Sequence, residues 1–222
     1  TVSLAPVFTY NSAKLKKILK EIFSHYEKEP SEESYEIKDG TLNVIPGMPG
    51  VSVNYDYLEN ELKKIFFSSN DTLRIYSDSS EAFVEIPART RYDEPFDRIV
   101  SDGGVNIDPG LAAVAEDRSQ GLQGVVIGNG QEFSLKSVLD YSLFKGDVEK
   151  DLLNRMATAL YKAALPIAGV SFTSRLPAKM PVPYSEPGFE AVIDGEGADL
   201  ALKNDSGKAL MLLAETGTDV FR

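Results

Sequence analysis

The chain has 222 residues, 42% of them hydrophobic, enough to bury a sizeable core in one large domain or two small ones, and we favour two. Lys and Arg total 23 against 34 Asp and Glu, a net charge of -11, which sets aside nucleic acid and a generally anionic membrane surface because phosphate contacts need clustered positive charge. With no cysteine, thiolate nucleophiles, disulfides and sulfur-based zinc sites are excluded, while the redox compartment stays open.

The opening TVSLAPVF lacks the charged-then-apolar pattern of a signal peptide, and no apolar run approaches the roughly 20 residues that span a bilayer. Because the first residue is Thr1 rather than methionine, an anchor or signal segment is expected upstream in the full-length protein. Asn11 then caps SAKLKKILKEIFSHYEK, an amphipathic helix with Leu15, Ile18, Leu19, Ile22 and Phe23 on one face. After a polar loop, YEIKDGTLNVI alternates around Asp39-Gly40, a dipeptide suited to a type I′ hairpin turn, with PGMPG closing the hairpin. Asn54 or Asp56 starts a second helix, YDYLENELKKIFF, with Leu58, Leu62, Ile65 and Phe66 facing inward; DTLRIY and EAFVEIPA read as extended. The first part is thus a small αββαβ unit of the α+β class.

RTRYDEPFDRIVSDGGVNIDPG has charge, proline and glycine but little periodicity, and we place the domain boundary near Arg91, giving domains 1–91 and 92–222. The second part reads as a short helix at GLAAVAED, an extended VVIGNGQEFS, a short helix at LKSVLD and a long helix through DLLNRMATALYKAAL. Strands follow at GVSFTS, FEAVID, DLALKN and ALMLLAE. This is an antiparallel sheet packed with one long and a few short helices.

Reactive chemistry is sparse. The single histidine, His25, sits at the end of the first helix, where an imidazolium suits the helix dipole, and without a second histidine or a cysteine no Ser-His-Asp triad or conventional zinc site can be built. Carboxylates pair at Asp56 with Glu59 and Asp78 with Glu81; Asp194, Glu196 and Asp199 sit in DGEGADL, which reads as an exposed turn without the ligand spacing of a calcium loop. GNGQEF is a turn, neither a dinucleotide nor a phosphate loop. Ten tyrosines in a chain without tryptophan offer rings for sugars or partners, Tyr161 and Tyr184 among them. Arg89, Arg91, Arg155 and Arg175 carry forks that match the carboxylates of stem peptides, although in an acidic chain an intramolecular acid is the commoner partner.

The stretches GQEFSLKSVL at 130–139, TALYKAAL and the following AG at 158–169, PYSEPGFEAVI at 183–193 and DLALKNDSGKALML at 199–212 resemble, in their order and spacing, the VanW-like family of bacterial envelope proteins. The αββαβ part is similar to the peptidoglycan-binding domain that commonly precedes VanW-like domains. The resemblance implies a Gram-positive, cell-surface protein, held by an N-terminal membrane anchor outside this chain. Such domains usually carry a cysteine at the head of the long helix and histidines after the following strand. Here Asn154 stands in place of the cysteine, and Leu176 and Ala178 stand in place of the histidines. Asparagine supplies no nucleophile of that kind and neither Leu176 nor Ala178 moves a proton, while Leu152 and Leu153 add bulk that would pack the former pocket shut.

The expectation is therefore a non-catalytic, extracytoplasmic protein that binds or scaffolds at peptidoglycan or with an envelope protein, using no cofactor and no metal. A peptidoglycan-modifying enzyme with a rebuilt site, and a pure protein-interaction module of a membrane complex, are the alternatives. Residues assigned to ligand contact are Asn154, Arg155, Tyr161, Arg175 and Tyr184.

Overall fold

The computed structural model describes residues 9–66, 74–75, 79–92 and 95–222. They form two compact units, one within Thr1–Ser34 and Ile45–Asp93 and the other within Tyr35–Val44 and Glu94–Arg222. Both combine helices with antiparallel strand pairs, the α+β class expected from the sequence.

The first unit opens with α1 (Ser12–Phe23), capped as anticipated by Asn11, whose side chain accepts from Lys14 N at 3.0 Å. Its buried stripe is narrower than the sequence implied. Leu19 is buried and Leu15 and Phe23 pack against the same core, but Ile18 and Ile22 are 43% and 52% exposed. Residues spaced four apart form a single ridge, and one facing helix covers only that ridge.

Next comes the hairpin of β1 (Ser34–Lys38) and β2 (Thr41–Ile45). Asp39 and Gly40 take φ of 52° and 72°, the two left-handed residues a type I′ turn needs. Residues Tyr35–Val44 of this hairpin group with the second unit, where Gly40 N donates to Glu215 Oε1 at 3.3 Å. The chain returns to the first unit through a strand absent from the sequence reading, β3 (Gly50–Val53), followed by α2 (Tyr55–Phe66) and β4 (Phe83–Ile86). Strand β3 pairs antiparallel with β4, and Asn54 caps α2 by accepting from Tyr57 N at 3.0 Å. PGMPG thus leads into a strand rather than closing the hairpin. DTLRIY, the Phe66 side chain, Tyr76 and Asp78 lie wholly or largely outside the described residues.

Glu59 on α2 is 5% exposed and accepts from Tyr10 Oη at 2.6 Å and Ser12 Oγ at 2.9 Å, with Lys63 at 3.3 Å. The Tyr10 and Ser12 hydrogen bonds, followed by Lys63, hold its carboxyl at about 2, below the ordinary 4.5.

In the second unit, β5 (Val105–Asn106) is followed by α3 (Ala112–Arg118), β6 (Val125–Ile127), β7 (Glu132–Ser134) and α4 (Leu135–Val138). The long helix α5 (Gly146–Ala164) and β8 (Val170–Ser174) come next, then β9 (Ala201–Asn204), β10 (Leu210–Leu212) and β11 (Val220–Phe221). Strand β9 is central between β7 and β8, while β6 pairs with β10 and β5 with β11, all antiparallel. The core collects Leu135, Leu152, Leu153, Met156, Leu200 and Leu202, each at most 2% exposed. FEAVID forms no strand; only the bridge between Leu176 and Val192 remains, for a reason given below.

Asn204 joins two turns. Its amide donates to Ile127 O and Lys208 O, both at 2.8 Å, while its oxygen accepts from Ser206, and the residue is fully buried. At Gly103 the chain passes against α5 so closely that a Cβ would lie 2.1 Å from Ala159 O and 2.4 Å from Ala163 N.

Two outcomes follow from these contacts. A carboxyl whose folded pKa is depressed adds stability that is complete above its unfolded value and is lost as pH falls from about 4.5 towards 2. Glu59→Gln should therefore lower the thermal midpoint at pH 7 and flatten the acid limb of that loss in melts between pH 7 and pH 2. Gly103→Ala, which must push the chain at 103 away from the backbone of α5, should cost about 2–4 kcal/mol in denaturant unfolding.

Candidate functional site

Helix α5 starts at Gly146, with Asp147 and Glu149 in its first turn; Glu149 reaches back to accept from Lys145 N at 3.1 Å. Asn154 therefore lies more than two turns inside the helix rather than at its head, and no helix-terminus dipole acts on it. Leu152, Leu153, Met156 and Thr158 surround it in sequence and are buried. Leu176, which stands in place of a family histidine, is 39% exposed.

The polar residues of α5 serve a neighbouring backbone. Asn154 Oδ1 accepts from Ile193 N at 2.8 Å; Thr158 Oγ1 accepts from Ala191 N at 3.0 Å and donates to Ala191 O at 3.3 Å. Four helical residues rise about 6 Å and two extended residues span about 6.6 Å, so one turn of α5 matches the 191–193 repeat. These bonds take up backbone groups that a flanking strand would have used, which is why FEAVID stays an isolated crossing.

Two arginines clamp the same crossing. Arg175 donates through Nε and Nη2 to Glu190 O at 2.9 and 2.7 Å and through Nη2 to Gly188 O at 2.7 Å, while its guanidinium stacks 4.2 Å from the Tyr161 ring centre. Tyr161 also packs on Phe172, centre to centre 4.7 Å. Arg155 donates to Asp151 at 2.7 Å and to the Asn106 carbonyl, and its guanidinium stands 4.3 Å from the Tyr184 ring centre. Burial first, and the nearby Asp151 carboxylate second, push the Tyr184 hydroxyl up to about 12, so it stays a neutral phenol at physiological pH. Glu190 is buried and accepts from Gly188 N at 2.6 Å.

All five residues assigned to ligand contact thus gather on α5 and the 175–193 crossing, four of them in two cation–aromatic pairs and Asn154 on the Ile193 N–H. Arg175 binds carbonyls rather than an acid, whereas Arg89 meets Glu29 at 3.5 Å and Arg91 lies 5.5 Å from the Tyr92 ring. Asp151, Thr158 and Glu190 escaped the sequence reading. Thr158 had a signal: a polar β-branched residue four after Asn154 within a helix otherwise apolar on that face.

Elsewhere the acids serve the fold. Asp194 Oδ1 accepts from the backbone N–H groups of Glu196, Gly197 and Ala198 at 2.8–2.9 Å, and these bonds hold its carboxyl below the usual range. Asp199 accepts from Ser134 Oγ and Lys136 N. Among the described residues no group of three His, Asp or Glu side chains could hold a metal ion. His25 lies in a turn after α1 with its ring centre 4.0 Å from that of Tyr26.

One family match begins in α5 at Leu153 and runs through β8, the clamped crossing and β9 to β11. Residues 153–221 match the family described as VanW like protein. Residues 1–74 match the family described as "Putative peptidoglycan binding domain". The two resemblances read from the sequence hold, in the same order. No curated protein and no solved structure matches the chain. Together the two matches support a cell-wall-associated role.

If Asn154 works for the crossing, Asn154→Ala strands a buried N–H and should cost about 1–2 kcal/mol. Amide hydrogen exchange should speed up at Ile193 and Ala191; unchanged exchange there would assign Asn154 to some other task.

Proposed function

We propose that this is a non-catalytic VanW-like protein that acts at the bacterial cell surface by holding on to peptidoglycan, with the second unit as a scaffold. The observation that carries this reading is that Asn154, Arg155, Tyr161, Arg175 and Tyr184 spend donors, acceptors and rings on one another, on Asp151, on Phe172, on the Asn106 carbonyl and on the backbone of residues 188–193. A nucleophile needs an adjacent base and an approach route. The place where the family pattern would put one is filled by Asn154 between Leu153 and Met156, both buried. The match of residues 1–74 supports the wall as the ligand. No helix among the described residues is long and apolar enough to cross a membrane.

The test uses the full chain and purified peptidoglycan sacculi. The protein should sediment with the sacculi, and chromatography of the supernatant should show no newly released muropeptides. A protein that stays in solution beside a retained known wall binder removes the wall-binding reading. Released fragments, abolished by Asn154→Ala or Arg175→Ala at unchanged folding, would establish the rebuilt enzyme instead.

A further inference from the structure

We propose that the second unit has a binding site for a single-chain lipid anion of the fatty-acid kind, its alkyl chain held in the cavity beneath the strands against α5 and its acidic head at Arg98. The cavity measures about 170 Å³ and is formed entirely within this unit. The 188–193 crossing contributes nothing to its lining.

Its floor belongs to the core. Leu122, Ile127, Ala159 and Leu202, each at most 5% exposed, line it from the turn after α3, from β6, from α5 and from β9. The hairpin adds the half-buried Ile37 and Leu42. A void in a core forfeits packing contacts in proportion to its volume, so one of this size is a cost to the fold unless something occupies it. An engineered apolar cavity of about 150 Å³ stays dry and takes up benzene, which gives this one room for a chain segment of roughly six carbons.

The lining selects against other occupants. Its only polar side chains are Arg98, Ser101 and Arg222. A peptide or a sugar entering it would bury N–H, C=O or hydroxyl groups with almost no side chain to meet them, whereas an alkyl chain has no such groups to satisfy.

Charge fixes the orientation. Arg98, Ile99, Val100 and Arg222 line the cavity and are exposed, which places its mouth on their side. In a chain with 34 acidic residues against 23 basic ones, the lining carries two arginines and no acid. Arg222 is shared with Glu215 at 3.5 Å and Asp102 at 3.9 Å, but Arg98 has no carboxylate and no hydrogen-bond partner among the described residues. An unspent guanidinium at the rim of an apolar cavity complements a chain that ends in an anion. The site does not depend on wall retention, which sedimentation with sacculi tests separately.

The experiment follows the methyl resonances of the full chain as sodium decanoate, kept below its micelle concentration, or decan-1-ol is added. Decanoate should bind saturably and shift the methyls of Leu122, Ile127 and Leu202. Decan-1-ol, with the same chain length and no charge, should bind about tenfold more weakly, the worth of one charge-assisted hydrogen bond. Arg98→Gln, at an exposed and unpaired position, should leave the melting temperature unchanged, cost decanoate that same factor and leave decan-1-ol unaffected. Ala163→Phe, which fills the cavity from α5, should abolish binding of both; if it fails to fold, the Arg98→Gln comparison and the methyl shifts still decide. The proposal is overturned if decanoate does not bind, if the shifted methyls lie away from the cavity, or if Arg98→Gln weakens both ligands alike or neither. Benzene that fills the cavity while decanoate does not bind would also overturn it and mark the cavity as a packing void.

Discussion

A turn of α5 and a length of extended chain have nearly the same repeat, and the second unit is organised around that coincidence. Asn154 and Thr158, one turn apart, meet the backbone of Ile193 and Ala191. Residues 175–193 form almost no regular structure, so their peptide groups need partners from outside any ladder. The helix supplies two of them, Arg175 supplies three bonds to the carbonyls of Gly188 and Glu190, and the bridge between Leu176 and Val192 closes the crossing on itself. Two arginine–tyrosine stacks then fix the side chains that flank it.

This use of polar residues explains why the same positions look functional in one dimension. An arginine beside a tyrosine, or an asparagine at a family position, is what a ligand site and a polar clamp have in common. Distance and burial separate the two. Asn154 is two turns from the helix terminus, and Tyr184 is shielded enough for its hydroxyl to rise to about 12.

Local chemistry was legible wherever one residue acts on its own neighbours. Asn11 and Asn54 cap helices by accepting from the backbone N–H three residues ahead, and Asp39-Gly40 turns the hairpin through its own dihedrals. Strand β3 was invisible because four residues squeezed between PGMPG and the Asn54 cap carry no readable period; its existence rests on β4, some thirty residues later. Ile18 and Ile22 looked buried because amphipathicity marks a face, while the neighbour decides how much of that face is covered.

By itself the sequence determined the α+β class, the helix starts, the hairpin turn, the order of the two family resemblances and the lack of thiol chemistry, since all of these depend on residue type and short-range spacing. Only the tertiary structure decided that residues 35–44 group with the second unit and that FEAVID is held by a helix instead of a sheet. Those outcomes are allocations of backbone hydrogen bonds between segments tens of residues apart, and a peptide group's partner is not written in the side chain beside it.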